Sequence, residues 1–439
     1  MNQLADPYAR FCLENKLVHS LHTSESKSWR GCRRRHDWIF KDRYYPFITP
    51  KPLEFGVAYH SGMEAYYDPA NHFDLETSAA LAQVAFMNKV REQLQAYMKN
   101  MNIDSMDELD DEVRNDYTER VDLGYKMIKY YTEKVAPILD EGFTPLKVEI
   151  KFEVPITAPT GDHLYCACEI CWDKFKAWIR TNTKGIFTNT GGFEVDINSG
   201  PYDRYGDIFW SRWQGLLVTY GGRIDCLFED SLGNLYIVDW KTAARLSAGD
   251  EDTDGYLMVE DQITRYCWAL RLLGIDIKGF IYHEQKKAVP EEPTLNKHQR
   301  LGRWFSVSKS QDTDYDTYLR TVIENDTSAY YAGLYDEFLE YLQTEGGRFY
   351  ARKKVDRNEH ELEHAGFNVY QEAMDILHST YIYPNSGRFT CQNCAFLQPC
   401  LGKNRGDDYE YTLATMYEKR VRHYYEEAEP STDKGGMNA

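Results

Sequence analysis

The chain lacks any apolar run approaching the ~20 residues of a membrane-spanning helix. Its first stretch, Met1 to Lys16, lacks the basic-then-apolar layout of a secretory leader. Positive charge is also short: 51 Lys and Arg stand against 69 Asp and Glu, a formal net charge of −18. That balance excludes a chain that grips nucleic acid through its whole surface, so any such site must be a local patch on an acidic body. No G-x4-G-K-[ST] phosphate loop occurs, so a motor would have to be a separate partner. These absences imply a globular, cytoplasmic protein of one to three domains with no membrane partner. In that compartment the ten cysteines stay reduced, and where they cluster they point to metal more than to disulfides.

What is present centres on Tyr220 to Thr242. Residues 222–229 and 235–242 are apolar and β-branched enough for two strands, and Asp230-Ser231-Leu232-Gly233-Asn234 between them is rich in turn formers. Side chains alternate along a strand, so Asp239 and Lys241 share a face. Pairing the strands symmetrically about Leu232 sets Asp225 opposite Asp239. Apolar Ile224, Cys226, Val238 and Trp240 then take the other face. Two acids at one point repel unless a cation lies between them, and short-stemmed oxygen ligands suit Mg²⁺ or Mn²⁺. A lysine beside such a metal can position an attacking water and meet phosphate charge. The plain alternative is a charged hairpin face with a cross-strand ion pair.

Along the chain, Cys32 precedes Arg33, Arg34 and Arg35, with Trp38, Phe40, Tyr44 and Tyr45 following. A basic run interleaved with aromatics suits phosphate contact plus base stacking, or a solvated helix face. Residues 53–67 read as a helix start in which Gly56 and His60 share a face at i, i+4. A helix is expected from Asp74 to Asn100, and Ser105-x2-Glu108 reads as a capping box opening a second one to about Leu139. Residues 146–156 alternate as a strand carrying Glu149, which could join the hairpin acids. Further expectations are a helix over 259–274 with Gln262 and Tyr266 on one face, a strand over 277–283, and a short strand near 303–307. Long helices are expected over 311–343 and 357–379, then a helix over 408–427 and a disordered tail from Glu429.

Two cysteine groups stand out. Cys391-x2-Cys394-x5-Cys400 offers three thiolates in a short loop, with Cys32 as the fourth, flanked by arginines that offset thiolate charge. This ligand set alone suits zinc or an iron–sulfur cluster. Cys166-x-Cys168-x2-Cys171, with His163 as a fourth donor, has irregular spacing, and here separate buried thiols are the favoured reading. The aromatics of the surrounding stretch, Trp172, Phe175, Trp178, Phe209, Trp210 and Trp213, read as the core of an inserted subdomain.

Together, Gly56-x3-His60, Asp225, Asp239-Trp240-Lys241, Gln262-x3-Tyr266 and one cysteine far upstream of C-x2-C-x5-C resemble a RecB-like PD-(D/E)XK nuclease of the iron–sulfur type. That group includes CRISPR-associated adaptation nucleases and the nuclease domains of bacterial recombination helicase–nucleases. The resemblance covers Cys32 to Cys400 except for 157–219; Ile224 stands in the proline position, and the second acid is Asp239. It implies an α/β restriction-endonuclease-like core: a mixed central sheet flanked by helices, with helical additions and an iron–sulfur site tying the N- and C-terminal segments. It implies that Asp225, Asp239, the Trp240 carbonyl and His60 hold Mg²⁺ or Mn²⁺, that Lys241 positions water, and that Gln262 and Tyr266 stand by the scissile phosphate or steady Lys241. Glu149 is an additional acid. Cys32, Cys391, Cys394 and Cys400 would carry a 4Fe-4S cluster, and Arg33, Arg34 and Arg35 would touch DNA.

The expected activity is that of an exonuclease on DNA ends or single strands, in recombination, repair or replication. A helicase or recombination protein would be its partner, and a bacterial or phage-infected cell its setting. The alternative is a non-catalytic DNA-end-binding or assembly factor. The expected divisions are 1–55 with the first cluster cysteine, 56–145 with His60, and 146–285 as nuclease core with 157–219 inserted. A helical part over 286–406 and a terminal segment over 407–439 complete them.

Overall fold

The structure is a computed structural model that describes residues 6–47, 51–71, 74–182, 186–187, 193–194, 215–247, 251–296 and 302–420. Phe209, Trp210, Trp213, residues 421–427 of the expected terminal helix and the tail from Glu429 lie outside them. Strands in chain order are β1 (Val18–His22), β2 (Tyr44–Pro46), β3 (Phe143–Pro155), β4 (Tyr165–Cys166), β5 (Ile186–Phe187), β6 (Phe193–Glu194), β7 (Leu216–Asp230), β8 (Leu235–Ala243), β9 (Ile277–Lys286), β10 (Tyr350–Asp356) and β11 (Tyr417–Lys419). The described residues fall into two compact units, one within 50–152 and 222–366, the other within 2–49, 153–221 and 367–439. No helix among them is long and apolar enough to cross a membrane.

The first unit is built on a mixed sheet. From Gly222 onward β7 runs antiparallel to β8, β8 parallel to β9, and β9 antiparallel to β10. The β7–β8 register sets Cys226 opposite Val238 and Phe228 opposite Tyr236, symmetric about Leu232 as expected. The turn is closed by Asp230, whose carboxylate accepts from the Leu232 and Asn234 amides at 2.9 Å each, and by Gly233 at φ +80°. One sheet face, with Cys226, Phe228, Val238, Trp240 and Ile281, packs against helix Lys51–Tyr67 through Phe55, Tyr59, Met63 and Tyr67. Helix Leu75–Asn100 adds Phe86 and Val90 behind it. Trp240 stacks on Tyr67 with ring centres 5.1 Å apart. The other face meets helix Asp261–Leu272, where Cys267 Sγ lies 3.8 Å from the Gly279 carbonyl. Helices Tyr315–Asn325, Thr327–Tyr331 and Asp336–Thr344 form a separate small core around Tyr318 and Tyr335.

In the second unit β1 runs parallel to the first residues of β7, and β4 runs antiparallel to them. Helix Glu169–Asn182 follows β4. Elsewhere in this unit β2 pairs with β11, and Trp38, Phe396, Leu413 and Tyr417 make a small core.

Several local expectations differ from what forms. The stretch 105–139 is not one helix: a short turn Met106–Glu108 ends as Leu109 turns extended and buries itself, and the helix proper is Asp111–Tyr130. It then widens to a π-turn over Tyr131–Val135, because Pro137 has no amide to donate and its ring crowds the carbonyl four residues earlier. The stretch 311–343 splits into three helices: the Asp326 carboxylate turns to the Trp304 amide and the Tyr335 hydroxyl, and Gly333 sits at φ +72°. Near 303–307 the pairing is a single bridge, Leu295 with Phe305. The charged stretch Tyr350–Asp356, expected to lie in a helical region, is instead strand β10. After helix Tyr409–Met416, Tyr417–Lys419 is taken into pairing with β2 and leaves the helix.

Candidate active site and cysteine groups

The candidate active site lies in the first unit, where β7, β8, β3 and helix Lys51–Tyr67 supply its side chains. Alternation in the hairpin works as expected: Ile224, Cys226, Val238 and Trp240 are buried, and Asp225, Asp239 and Lys241 take the other side. Continued one step, the register brings Asp225 opposite Asp239, and the Trp240 amide donates to Asp225 Oδ2 at 3.3 Å. His60 Nδ1 approaches the same oxygen at 3.3 Å. Lys241 Nζ donates to Asp239 Oδ1 at 2.8 Å. Burial by itself would lift the Asp225 carboxyl, but His60, Lys241 and the Trp240 amide hold it below the ordinary range. Burial would lower His60, and Asp225 raises it instead. Lys241 is likewise held above its usual value against burial, by Asp239 and Asp225.

Each hairpin acid thus has a basic side chain of the chain itself beside it. Because Asp225 turns to His60 while Asp239 turns to Lys241, these three donors do not converge on one point tightly enough to form a single-ion group. Their chemistry fits a hard divalent ion nevertheless: carboxylate oxygens on short stems, one imidazole and no thiol.

Glu149 joins this group and brings a residue that spacing did not suggest. It sits in β3 at φ +49°, a left-handed conformation uncommon for a residue with a side chain. Its Oε2 meets Arg223 Nε at 2.8 Å. Burial pushes its carboxyl up to about 7 against the pull of Arg223, with Glu64 and Asp225 adding repulsion. Glu64, one helical turn past His60, is itself raised by burial, with Asp68 and Asp225 adding to the rise and Arg223 opposing it. The signal for Glu64 was available in the sequence as His60-x3-Glu64. Gln262 Nε2 lies 3.4 Å from Tyr266 Oη, as the i, i+4 spacing suggested. Tyr266 packs edge-on against Phe152. A Cβ on Gly222 would come within 2.5 Å of Phe152 and 2.9 Å of Tyr266, so this strand position has room only for glycine. Gly56 is less constrained: the nearest atom to its Cβ position is Thr242 Oγ1 at 3.9 Å.

The second unit holds both cysteine groups. Cys394 and Cys400 pack against the Trp38 core. Burial raises the Cys394 thiol, which also feels Cys32 and Cys391 as neighbouring charges, with Arg35 opposing. Arg34 Nη1 donates to Cys400 Sγ at 3.3 Å and to Asn404 Oδ1 at 2.7 Å. Arg33 is held by Asp375 at 3.0 Å and Tyr383 at 2.7 Å, and lies over the Trp29 ring. All three arginines therefore have neighbours within the protein, and two of them stand beside the cysteines.

The thiols expected to stand separately are free but gathered in one place. Cys166, Cys168 and Cys171 gather with His19, and their ligand atoms all lie within 4.8 Å of one another. Among the described residues this is the group of His, Cys, Asp or Glu side chains compact enough for one ion. The fourth member is His19 rather than His163. Local spacing could not show this, because His19 and Cys171 stand 152 residues apart.

Set against known proteins, the chain finds no match among curated ones. The family model of the PD-(D/E)XK nuclease superfamily matches residues 23–401, a span that takes in His60, Glu149, the whole β7–β8 hairpin and Gln262-x3-Tyr266. With that match over most of its length and a mixed sheet flanked by helices, the chain belongs to the PD-(D/E)XK nuclease superfamily.

Proposed function

We propose that the chain is a metal-dependent DNA nuclease, an exonuclease acting on DNA ends or single strands in recombination, repair or replication. The observation that carries this reading is the hairpin, where Asp225, Asp239 and Lys241 occupy one side with His60 against Asp225. A binding module has no use for a lysine held among buried acids. His60, Asp225, Asp239 and the Trp240 carbonyl would hold Mg²⁺ or Mn²⁺, which lowers the pKa of bound water and draws charge from the scissile phosphate. Lys241 would leave Asp239 to orient the attacking water and meet a phosphate oxygen. Glu149, whose carboxyl burial pushes up to about 7, is suited to take the proton that the water gives up. Gln262 and Tyr266 would stand by the scissile phosphate.

A 4Fe-4S cluster on Cys32, Cys391, Cys394 and Cys400 would fasten the helix Arg33–His36 to the C-terminal loop. The residues fit it: Cys394 neighbours Cys32 and Cys391, and Arg34 and Arg35 offset thiolate charge. Each thiolate of a cubane binds a different iron, so these sulfurs need not be as close as those around a single ion. Arg33, Arg34 and Arg35 are proposed as DNA contacts secondarily to this role.

The mode of action is tested with linear and circular single-stranded DNA, the linear form end-labelled, and Mg²⁺ or Mn²⁺. Digestion of linear DNA with circles left intact is the expected result. Cleavage of circles at an equal rate would make the enzyme an endonuclease. Tight end-binding with no cleavage under either metal would leave an assembly factor.

A further inference from the structure

We propose that His19, Cys166, Cys168 and Cys171 hold a structural Zn²⁺, a second metal site distinct from the cluster cysteines. Three thiols and one imidazole converge with all ligand atoms within 4.8 Å of one another. A tetrahedral zinc with Zn–S of about 2.3 Å sets its sulfurs about 3.8 Å apart, inside that span. Four protein donors also complete the tetrahedron, the mark of a structural rather than a catalytic ion.

The fold brings the donors together from three elements. Leu217 pairs with Val18 of β1 and with Tyr165 of β4, so the two strands flank β7 on its two edges. His19 is in register with Val218 and Cys166 with Leu216, positions two apart on β7, so both side chains project from the same sheet face. Helix Glu169–Asn182 then sets Cys171 over that face, where its sulfur lies 3.2 Å from His19 Nδ1. Lys174 of the same helix donates to the Val18 carbonyl at 3.0 Å, fixing the helix to β1 beside His19.

The alternatives explain less. Free buried thiols are ordinarily dispersed among apolar side chains, whereas these are gathered with a histidine from a distant strand. A disulfide would use two sulfurs and strand the third. The ion would compensate for a weak local frame: β4 is two residues long, and among the described residues its pairing with β7 covers Tyr165 and Cys166. Zinc thus holds β1, β4 and the helix N-terminus to one another.

The test uses the full chain and reads metal content, so it is independent of whether the hairpin cleaves DNA. Zinc and iron per chain are measured by mass spectrometry for the wild type, Cys168→Ser and His19→Cys. Cys168 is exposed, so its substitution opens no core. One zinc per chain is expected in the wild type, a several-fold loss in Cys168→Ser with iron unchanged, and retention in His19→Cys, which keeps four ligands. Should Cys168→Ser not fold, the wild type loaded with Co²⁺ decides. Tetrahedral thiolate sites give strong visible bands and sulfur-to-cobalt charge transfer, which His19→Cys should intensify. Zinc unaffected by Cys168→Ser, loss of iron in its place, or a wild type that takes up neither zinc nor tetrahedral cobalt would each overturn the proposal.

Discussion

The hairpin site and the cysteine groups both collect metal-type ligands, but the chain builds them in opposite ways. The hairpin places Asp225, Asp239 and Lys241 through one tight turn and strict alternation. Its geometry follows from about twenty consecutive residues, as strand periodicity and turn chemistry require. The cysteine groups draw donors across the length of the chain: His19 to Cys171, and Arg34 to Cys400 at a separation of 366 residues. A site of the first kind forms with local structure and is tuned for chemistry. A site of the second kind closes long loops, so its value lies in what it fastens.

The largest effect that could break this comparison is catalytic. Lys241→Ala should cut metal-dependent cleavage at least about 100-fold, the scale of losing one preorganised group aimed at developing charge. Zinc and iron content should stay at wild-type levels. A fall in either metal would mean that the hairpin and the cysteine groups are not separate devices.

Next comes the proposed iron–sulfur site. Cys32→Ser or Cys394→Ser, made anaerobically, should lose the broad visible absorbance of an iron–sulfur protein. Thermal stability should drop without complete unfolding, because β2–β11 pairing, the Trp38 core and the Trp29–Asp375 hydrogen bond of 2.7 Å also join the same segments. A colourless wild type holding zinc at these cysteines would remove iron–sulfur chemistry and leave the nuclease reading intact.

A smaller effect sharpens the acidic side. His60→Ala or Glu64→Gln should raise the Mg²⁺ concentration for half-maximal cleavage about 10-fold, roughly 1.4 kcal/mol of metal binding, with the fold unchanged by circular dichroism. An unaltered metal requirement in both would return them to purely structural roles.

The smallest concerns the basic run. Arg34→Ala should reduce cluster retention while changing the salt slope of single-stranded DNA binding by less than the roughly 0.7 expected for one phosphate contact. A slope lowered by that full amount with the colour kept would make Arg34 a DNA contact first.

What was legible in the sequence follows the same division. The strands, their turn and the face shared by Asp239 and Lys241 could be read because period-two alternation and Asp/Gly/Asn turn chemistry are local. Glu64 is equally local, one helical turn from His60, but an acid on a helix resembles a solvated one. Strand β10 was hidden by Arg352, Lys353 and Lys354. Arg352 reaches buried Tyr131 and Asp140, a tertiary partnership that a charge run does not announce. The π-turn before Pro137 had a signal in that proline, against the helical period around it. His19 had none: an isolated histidine comes to stand among these cysteines only because β1 pairs with β7 in a register that sets it near Cys166.

The most direct test of the central claim is cleavage of end-labelled single-stranded DNA by wild type and Asp239→Ala, each purified anaerobically, with Mg²⁺ or Mn²⁺ and with DNA affinity measured in parallel. The account predicts metal-dependent cleavage by the wild type, at least about a 100-fold loss in the variant, and DNA affinity within a few-fold. Cleavage by Asp239→Ala at the wild-type rate would contradict it and place the active site elsewhere in the chain.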